Sequence, residues 1–590
     1  MADLGKLNGK DHPVRYDLAL LHPPSVYDFR KMKQFRGPMS DVIPSSSIFD
    51  MYPVGFTSIA GFLERSALRV KIVNVAARML RDAKFDAEKK IRGLDARAFG
   101  VGLHWLPHAQ GALEIAKLVK KHHPAAPVIF GGLSATYYHR ELAAYPFIDF
   151  VVRGDSTEEP MLRLMEELCS GRKNFSAVPS LTWKRGGDIV ENAMGEAPAN
   201  LNGINIPDYR YAVRSVIRDK NLLDAMPYHG WLDYPVTALL TVRGCTQNCS
   251  LCGGSRSAYK LNCGRQKPAM RSPEKLVQDI AFIQRFSRTP VFVIGDIRQG
   301  GEAYVEEFLT RVAALKPKNE LVFELFWKAG DEFFSKIQRR VPRYSLEITL
   351  ESADEDIRRA NGKFACSNEE FIRLARSALA HGCRKLDVFF MVGLPRQTRE
   401  SALRNVAFCE EIHRACGLDR RLNYFIAPLA PFLDPASRAF EHPEQFGYKR
   451  LAASLEDHIR HFMAPSWEFI LNYETDAMNR RQIVEAMYES FEKLNDFKLE
   501  CGLIDAETHQ KLLGESRASL DHLARVREAV NSGADLELLP GFSDADLETT
   551  RTHKELRWRI RRRYAGVFSL ACLGLEVFLE QWQARTHARS

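Results

Sequence analysis

The chain has 590 residues, 45% hydrophobic and 27% charged, a length that calls for two to four domains, each with its own core. Its 83 basic against 74 acidic residues leave a formal charge of +9, a modest excess unaccompanied by any basic and aromatic recognition module, so nucleic-acid binding is not expected. Eleven Cys, mostly scattered singly, exclude a disulfide framework, while residues 1–10 lack a signal peptide's apolar core and the apolar stretch Tyr564 to Leu579 is broken by Glu576, so a cytoplasmic protein is expected.

In chain order, residues 1–170 alternate short apolar runs with helical periodicity. Strands are predicted at Tyr16 to Leu21, Val70 to Val75, Phe99 to Leu103, Val128 to Phe130 and Phe150 to Val152, with an amphipathic helix such as Gly111 to Lys120 between them. That alternation implies an α/β fold, a flavodoxin-like doubly wound parallel sheet whose ligand sits at the carboxyl ends of the strands. The loops at those ends hold His22-Pro23-Pro24-Ser25, Gly102-Leu103-His104-Trp105, Gly131-Gly132 and Gly154 through Glu158. Residues 171–235 read as a linker containing a small hairpin about Gly186-Gly187.

A second α/β unit is expected over 236–440. Its strands are predicted at Thr237 to Val242, Val291 to Ile294, Leu321 to Phe326, Leu346 to Leu350, Leu386 to Met391 and Leu422 to Ile426, separated by helices such as Pro273 to Phe286, Val305 to Leu315 and Glu369 to His381. From about Glu441 the strand pattern stops, and a helical region is predicted over 441–590: Arg450 to His461, Arg480 to Asn495, Ala506 to Leu513 and Ala518 to Asn531. The basic run Lys554 to Tyr564, followed by an apolar stretch, suits either peripheral contact with an anionic membrane surface or a helix docked on the body.

The chemistry is concentrated in Cys245, Cys249 and Cys252, spaced C-x-x-x-C-x-x-C directly behind the run Val236 to Val242. Three thiolates on one short loop can ligate three irons of a cubane 4Fe-4S cluster and leave the fourth open. Zinc, which takes four protein ligands in a structural site, is the poorer reading because no second C-x-x-C knuckle is present, and a disulfide would leave an odd thiol. Cys263 is either an auxiliary ligand or substrate-side thiol, or a small buried hydrophobe.

The Cys trio, with Leu251 in the apolar slot before the last Cys, resembles the signature of radical S-adenosylmethionine (SAM) enzymes. The resemblance implies a partial βα barrel in which SAM chelates the open iron and the reduced cluster cleaves it to a 5'-deoxyadenosyl radical. It also implies SAM contacts at Gly295-Asp296 after the second strand, at Glu351-Ser352 after the fourth, and at Gly393-Leu394 after the fifth. There Arg396 and Gln397 replace the family's Gly and Glu, and Ala427 to Pro431 lacks the Gly-Thr of the usual final turn. Taken alone, Glu351 reads equally as a capping carboxylate for the following helix.

The N-terminal loops together resemble the cobalamin-binding domain that precedes many radical SAM cores. That likeness implies cobalamin contacts from His22, Pro23, Ser25, Gly102, His104, Trp105, Gly131, Gly132, Gly154 and Glu158, with the two adjacent glycines admitting a bulky ligand close to the backbone. The family's D-x-H-x-x-G element is incomplete: His108 and Gly111 supply its second half, but Leu106 replaces the Asp, so no histidine ligand on cobalt is expected.

The expected activity is that of a cobalamin-dependent radical SAM enzyme carrying a 4Fe-4S cluster, SAM and cobalamin, and methylating an unactivated carbon or phosphorus centre of a small-molecule or lipid substrate. A reductant such as flavodoxin or ferredoxin would serve it. The alternatives are a non-methylating radical reaction (cyclisation, ring contraction or C-C coupling) and a non-enzymatic cobalamin or redox sensor.

Overall fold

The computed structural model describes residues 15–32, 34, 50–204, 209–363, 365–428, 433–533, 558, 560 and 563–587. The first sheet is built from β1 (Tyr16–His22), β2 (Val70–Asn74), β3 (Ala96–Gly102), β4 (Val128–Gly131) and β5 (Phe150–Val152), then β6 (Leu181–Arg185) and β7 (Asp188–Glu191). Its order is β2-β1-β3-β4-β5-β6-β7, with the first five strands parallel. Helices cover both faces, which is why β2 is buried at every position, Lys71 and Asn74 included.

The hairpin expected in the linker does more than connect. It turns back to pair antiparallel with β5, setting Trp183 opposite Phe150 and Leu181 opposite Val152. A three-residue strand would otherwise end the sheet with its backbone groups unpaired, and the hairpin covers them.

The second sheet contains β8 (Thr237–Leu240), β11 (Val291–Ile294), β12 (Leu321–Glu324), β13 (Tyr344–Glu351), β14 (Leu386–Val392) and β15 (Leu422–Pro428), with the short antiparallel pair β9 (Val242–Arg243) and β10 (Ala269–Met270) beside it. Six parallel strands run in the order β15-β14-β13-β12-β11-β8, and the two end strands do not pair, so the barrel stays open on one side. Alternate residues divide its two faces. Leu239 and Val293 pack outward against Leu276, Ile280 and Ile283 of helix Pro273–Phe286, while Ala238, Leu240, Phe292 and Ile294 face the interior.

The C-terminal region departs from expectation in three places. β16 (Tyr448–Arg450) and β17 (Tyr473–Thr475) form an antiparallel pair where no strand was expected. The helix expected from Arg450 begins at Leu455, because Ser454 and Asp457 form a capping box that sets its start. The two helices expected over 506–531 are one, Ala506–Ser532, since Gly514 in its middle costs a helix only about 1 kcal/mol and does not break it. Helix Val567–His587 packs on helices Tyr209–Asp219 and Pro273–Phe286. Most of the basic run Lys554 to Tyr564 lies outside the described residues, and among those described no helix is long and apolar enough to cross a membrane.

Candidate active site between the two sheets

β9 delivers the chain into Gly244, whose φ of +93° reverses it into the cysteine loop. The Gln247 N–H donates to Cys245 Sγ and the Gly254 N–H to Cys252 Sγ, each at 3.3 Å, while Cys249 Sγ lies 3.8 Å from the Gly362 carbonyl. The loop is held from outside by the Ser250 N–H on the Asn361 carbonyl at 2.9 Å and by the Gly253 N–H on Asp434 Oδ2 at 2.9 Å. Burial raises the Cys245 thiol and pushes Cys249 up to about 11. Cys252 has an exposed edge, yet the atoms packed around its sulfur first, and the Asp434 carboxylate second, bring it to about 12. Lys363 opposes the rise at all three thiols. Metal ligation requires the thiolates, so loading this loop with iron must release protons.

The barrel strands end beside this loop. Gly295 turns at φ +89°, and a Cβ there would stand 2.7 Å from Val242 Cγ1. Its N–H donates at 2.6 Å to Glu324, a half-buried residue at the end of β12 that sequence reasoning missed; desolvation of its carboxylate raises its pKa, with the Gly295 bond and Lys363 opposing. Asp296 is fully buried but engaged: Arg298 pairs with both of its oxygens, and the Phe326 N–H donates to it at 2.8 Å. It braces the turn.

Glu351 is different. It ends β13 at a register shift, with φ +71° and 3% exposure, and its Oε2 is buried without a hydrogen-bond partner among the described residues. Burial first, with Lys363 and the Asn361 side chain opposing, moves its pKa up to about 7. The helix that follows is capped instead by Asp354, which leaves Glu351 available. Ser352 spends its hydroxyl accepting from the Asp354 N–H at 3.1 Å. After β14, Gln397 Oε1 accepts from the N–H groups of Gly393 at 2.9 Å and Leu394 at 3.2 Å, while its Nε2 donates to the Met391 carbonyl at 2.9 Å. A glutamate could make only the accepting half of that clasp, so the departure at 397 ties the turn down more fully. The β16–β17 pair closes over this turn, with the Tyr448 hydroxyl 3.4 Å from the Gly393 carbonyl and the Tyr473 ring edge-on to Tyr448 at 5.4 Å. Both tyrosines went unnoticed in the sequence, where three-residue strands carry almost no periodic signal. Leu429 to Pro431, part of the last turn the sequence singled out, lie outside the described residues.

A cavity of about 440 Å³ separates the two sheets. From the first it is lined by Gly102, His104, Trp105, Gly131, Gly132, Gly154 and Glu158, and from the barrel by Ala238, Leu240, Phe292 and Ile294. His22, Pro23 and Ser25 do not line it. His22 sits behind, edge-on to Phe56 at 6.1 Å and to His108 at 4.9 Å. His104 does face the cavity, and burial lowers its pKa to about 4, so it is neutral near pH 7. The reason for glycine at 132 also differs from the one expected. A Cβ there would meet the His104 backbone at 2.6 Å, so loop packing against this chain's own backbone requires it, whereas at Gly131 the nearest atom is the Val152 carbonyl oxygen at 3.7 Å. Cys263 is buried, its thiol raised by burial and by Asp155.

The comparisons with known proteins follow this division. The B12 binding domain matches residues 41–162, and the Radical SAM superfamily matches residues 239–409. The chain is a cobalamin-binding radical SAM enzyme. Its cofactors are a 4Fe-4S cluster, SAM and cobalamin. Among solved structures, the radical SAM methyltransferase TsrM from Kitasatospora setae, with cobalamin and a 4Fe-4S cluster bound, is similar at a TM-score of 0.56 and 14% identity over 88% of this chain and 100% of that one. The same TsrM with tryptophan substrate and the SAM analogue aza-SAM matches at 0.56 and 13%, covering 87% and 99%. OxsB, a cobalamin-dependent SAM radical enzyme with aqua-cobalamin and SAM bound, matches at 0.55 and 12%, covering 97% and 80%. At such identities the likeness is one of fold. A search of curated proteins finds no match.

The residues of this cobalamin-binding radical SAM enzyme fit those groups. Among the described residues, no three His, Cys, Asp or Glu side chains gather as a single metal ion would need. A cubane instead spreads its three thiolate ligands over three irons. The cavity, rimmed by glycines at the carboxyl ends of β3 and β4 and lined mainly by apolar side chains, suits a bulky and largely apolar group such as a corrin.

Proposed function

We propose that this enzyme methylates an unactivated carbon or phosphorus centre of a small molecule. The supporting observation is the cavity: it runs from the carboxyl ends of the first sheet to the inner face of the barrel, beside the loop of Cys245, Cys249 and Cys252. When bound, the cofactors supply a transferable methyl group and a 5'-deoxyadenosyl radical. The chain's part is to hold them in reach of one substrate and keep water out.

In this reading the three thiolates carry the cluster, and Gly295, Glu351, Gly393 and Leu394 receive SAM, with Asp296 and Ser352 bracing the turns that do so. Glu351 Oε2 supplies the accepting oxygen, being buried and unpartnered. Gly102, His104, Trp105, Gly131, Gly132, Gly154 and Glu158 line the corrin site, and His22, Pro23 and Ser25 support it from behind. The TsrM structure with bound tryptophan favours a small-molecule substrate.

Anaerobic incubation of the reconstituted enzyme with SAM, a reductant and candidate substrates, read by mass analysis, tests the proposal. The expected result is a product heavier by one methyl, with S-adenosylhomocysteine and 5'-deoxyadenosine. Substrate changed only in hydrogen count would favour a non-methylating radical reaction instead. Replacing Cys245, Cys249 and Cys252 together by Ala should abolish the brown chromophore and all SAM cleavage, and deoxyadenosine from that variant would sink the assignment of the loop.

A further inference from the structure

Two arginines flank the cysteine loop, and neither belongs to the chemistry assigned above. Arg243 stands two residues before Cys245 on β9, and Arg265 two residues after Cys263, where helix Arg256–Cys263 has ended in the left-handed Gly264. Both are nearly sealed from solvent, at 8% and 4% exposure. Both reach across to the first domain and end on a single segment, Asp155-Ser156-Thr157-Glu158, which follows β5 and borders the cavity.

The bonding interlocks. Arg243 places Nη2 2.8 Å from Glu158 Oε1 and Nη1 3.1 Å from Glu158 Oε2. Arg265 places Nε 2.5 Å from Asp155 Oδ2 and Nη2 3.2 Å from Asp155 Oδ1. The Ser156 hydroxyl accepts from both guanidinium groups, each at 3.1 Å, which occupies its two lone pairs. Ser58, on helix Gly55–Arg65 at the cavity wall, donates to Glu158 and so ties in a third element. Gly244 completes the join: a Cβ there would stand 2.8 Å from Arg265 Cδ, so the residue immediately before Cys245 lies flat against the second arginine.

Paired, planar guanidinium–carboxylate contacts restrict orientation as well as distance. A buried pair adds little net stability over apolar packing, so two such pairs converging on one segment point to a geometric role. The cavity segment and the cluster loop cannot shift relative to each other without breaking these bonds. We propose that Arg243 and Arg265 are positioning residues that hold the cysteine loop in a set alignment with the cavity segment Asp155–Glu158, and so fix the separation of corrin and cluster. The inference rests on the cavity being the cobalamin site.

Two measurements test it. In the unloaded full chain, hydrogen exchange should show 153–158 and 243–254 protected together. Arg243→Met should raise exchange in both segments about a hundredfold, because losing one partner of a buried pair costs several kcal/mol, while the distant cross-domain contact of Glu141 with the Leu455 N–H stays protected. The double variant Arg243→Met/Glu158→Gln leaves no buried charge unpaired, so it should recover thermal stability yet keep the fast exchange. Unchanged exchange in 153–158 of the double variant overturns the proposal.

In the loaded enzyme, paramagnetic Co(II) should speed the spin relaxation of the reduced cluster. Arg265→Met should weaken that effect at unchanged iron and cobalt content, and Arg265→Lys should restore only part of it. A wild type that takes up both cofactors but shows no such relaxation also overturns the proposal. A wild type that takes up no cobalamin overturns the cavity assignment and this inference with it, and hydrogen exchange still reports whether the two segments open as one.

Discussion

At the scale of single residues, Glu351 carries the sharpest consequence. An ordinary glutamate titrates near 4.3, and burial raises this one to about 7. The folded chain therefore holds the proton after the unfolded chain has released it. The stability that goes with the neutral form is full below about pH 4.3 and is lost as pH rises toward 7, a change on the order of 3 kcal/mol. Glu351→Gln should match the wild type in thermal unfolding at pH 4 and exceed it at pH 7.5. An equal midpoint difference at both pH values would contradict the raised pKa. The same variant should bind SAM more weakly, since Gln presents a neutral oxygen where the ionised carboxylate would accept more strongly.

The two adjacent glycines make different predictions because their surroundings differ. Gly132→Ala would push a methyl into the His104 backbone at φ +116°, so loss of cobalamin there would only report a damaged loop. Gly131→Ala has ordinary room in the chain itself. It should leave thermal stability within about 1 kcal/mol of wild type and still lose bound cobalamin, measured by the corrin absorbance after desalting. Full retention would show that no ligand approaches the backbone there.

At the scale of elements, the C-terminal half was the least legible. Two helices were expected on either side of residues 514–517, yet Gly514 lies inside a continuous helix with open space about it and no positive φ. Gly514→Ala should therefore stabilise the chain by about 0.5–1 kcal/mol, seen as a higher unfolding midpoint. Destabilisation would mean the helix is broken at that point. The three-residue strands β16 and β17 left no alternation long enough to read, although they bring Tyr448 and Tyr473 against the turn after β14. The six barrel strands, by contrast, were legible to within a few residues. Each carries a run of apolar residues between helical stretches, because its outward face packs under the helices, while the polar exceptions such as Glu347 and Asn423 do not break the pattern.

At the scale of the whole molecule, the cavity joins the two sheets, so its ligand should stabilise more than one domain. Cobalamin at a hundred times its dissociation constant should add about 2.7 kcal/mol and raise the unfolding midpoint of both the first sheet and the barrel, resolved by tryptophan fluorescence and circular dichroism together. A shift confined to one domain would contradict a shared site. What the sequence determined by itself was what is local: the three cysteines on one loop, the strand–helix alternation, and the glycines at strand ends. Each follows from spacing within a few residues. Only the tertiary structure decided which polar groups remain available. Asp296 and Glu158 look like ligand contacts in the sequence but are taken by Arg298 and Arg243, whereas Glu324 and the paired arginines gain their roles from partners after another strand or across the domain boundary. The reason is physical: a carboxylate's function depends on which charges and hydrogen-bond donors surround it once buried, and folding alone brings those neighbours together.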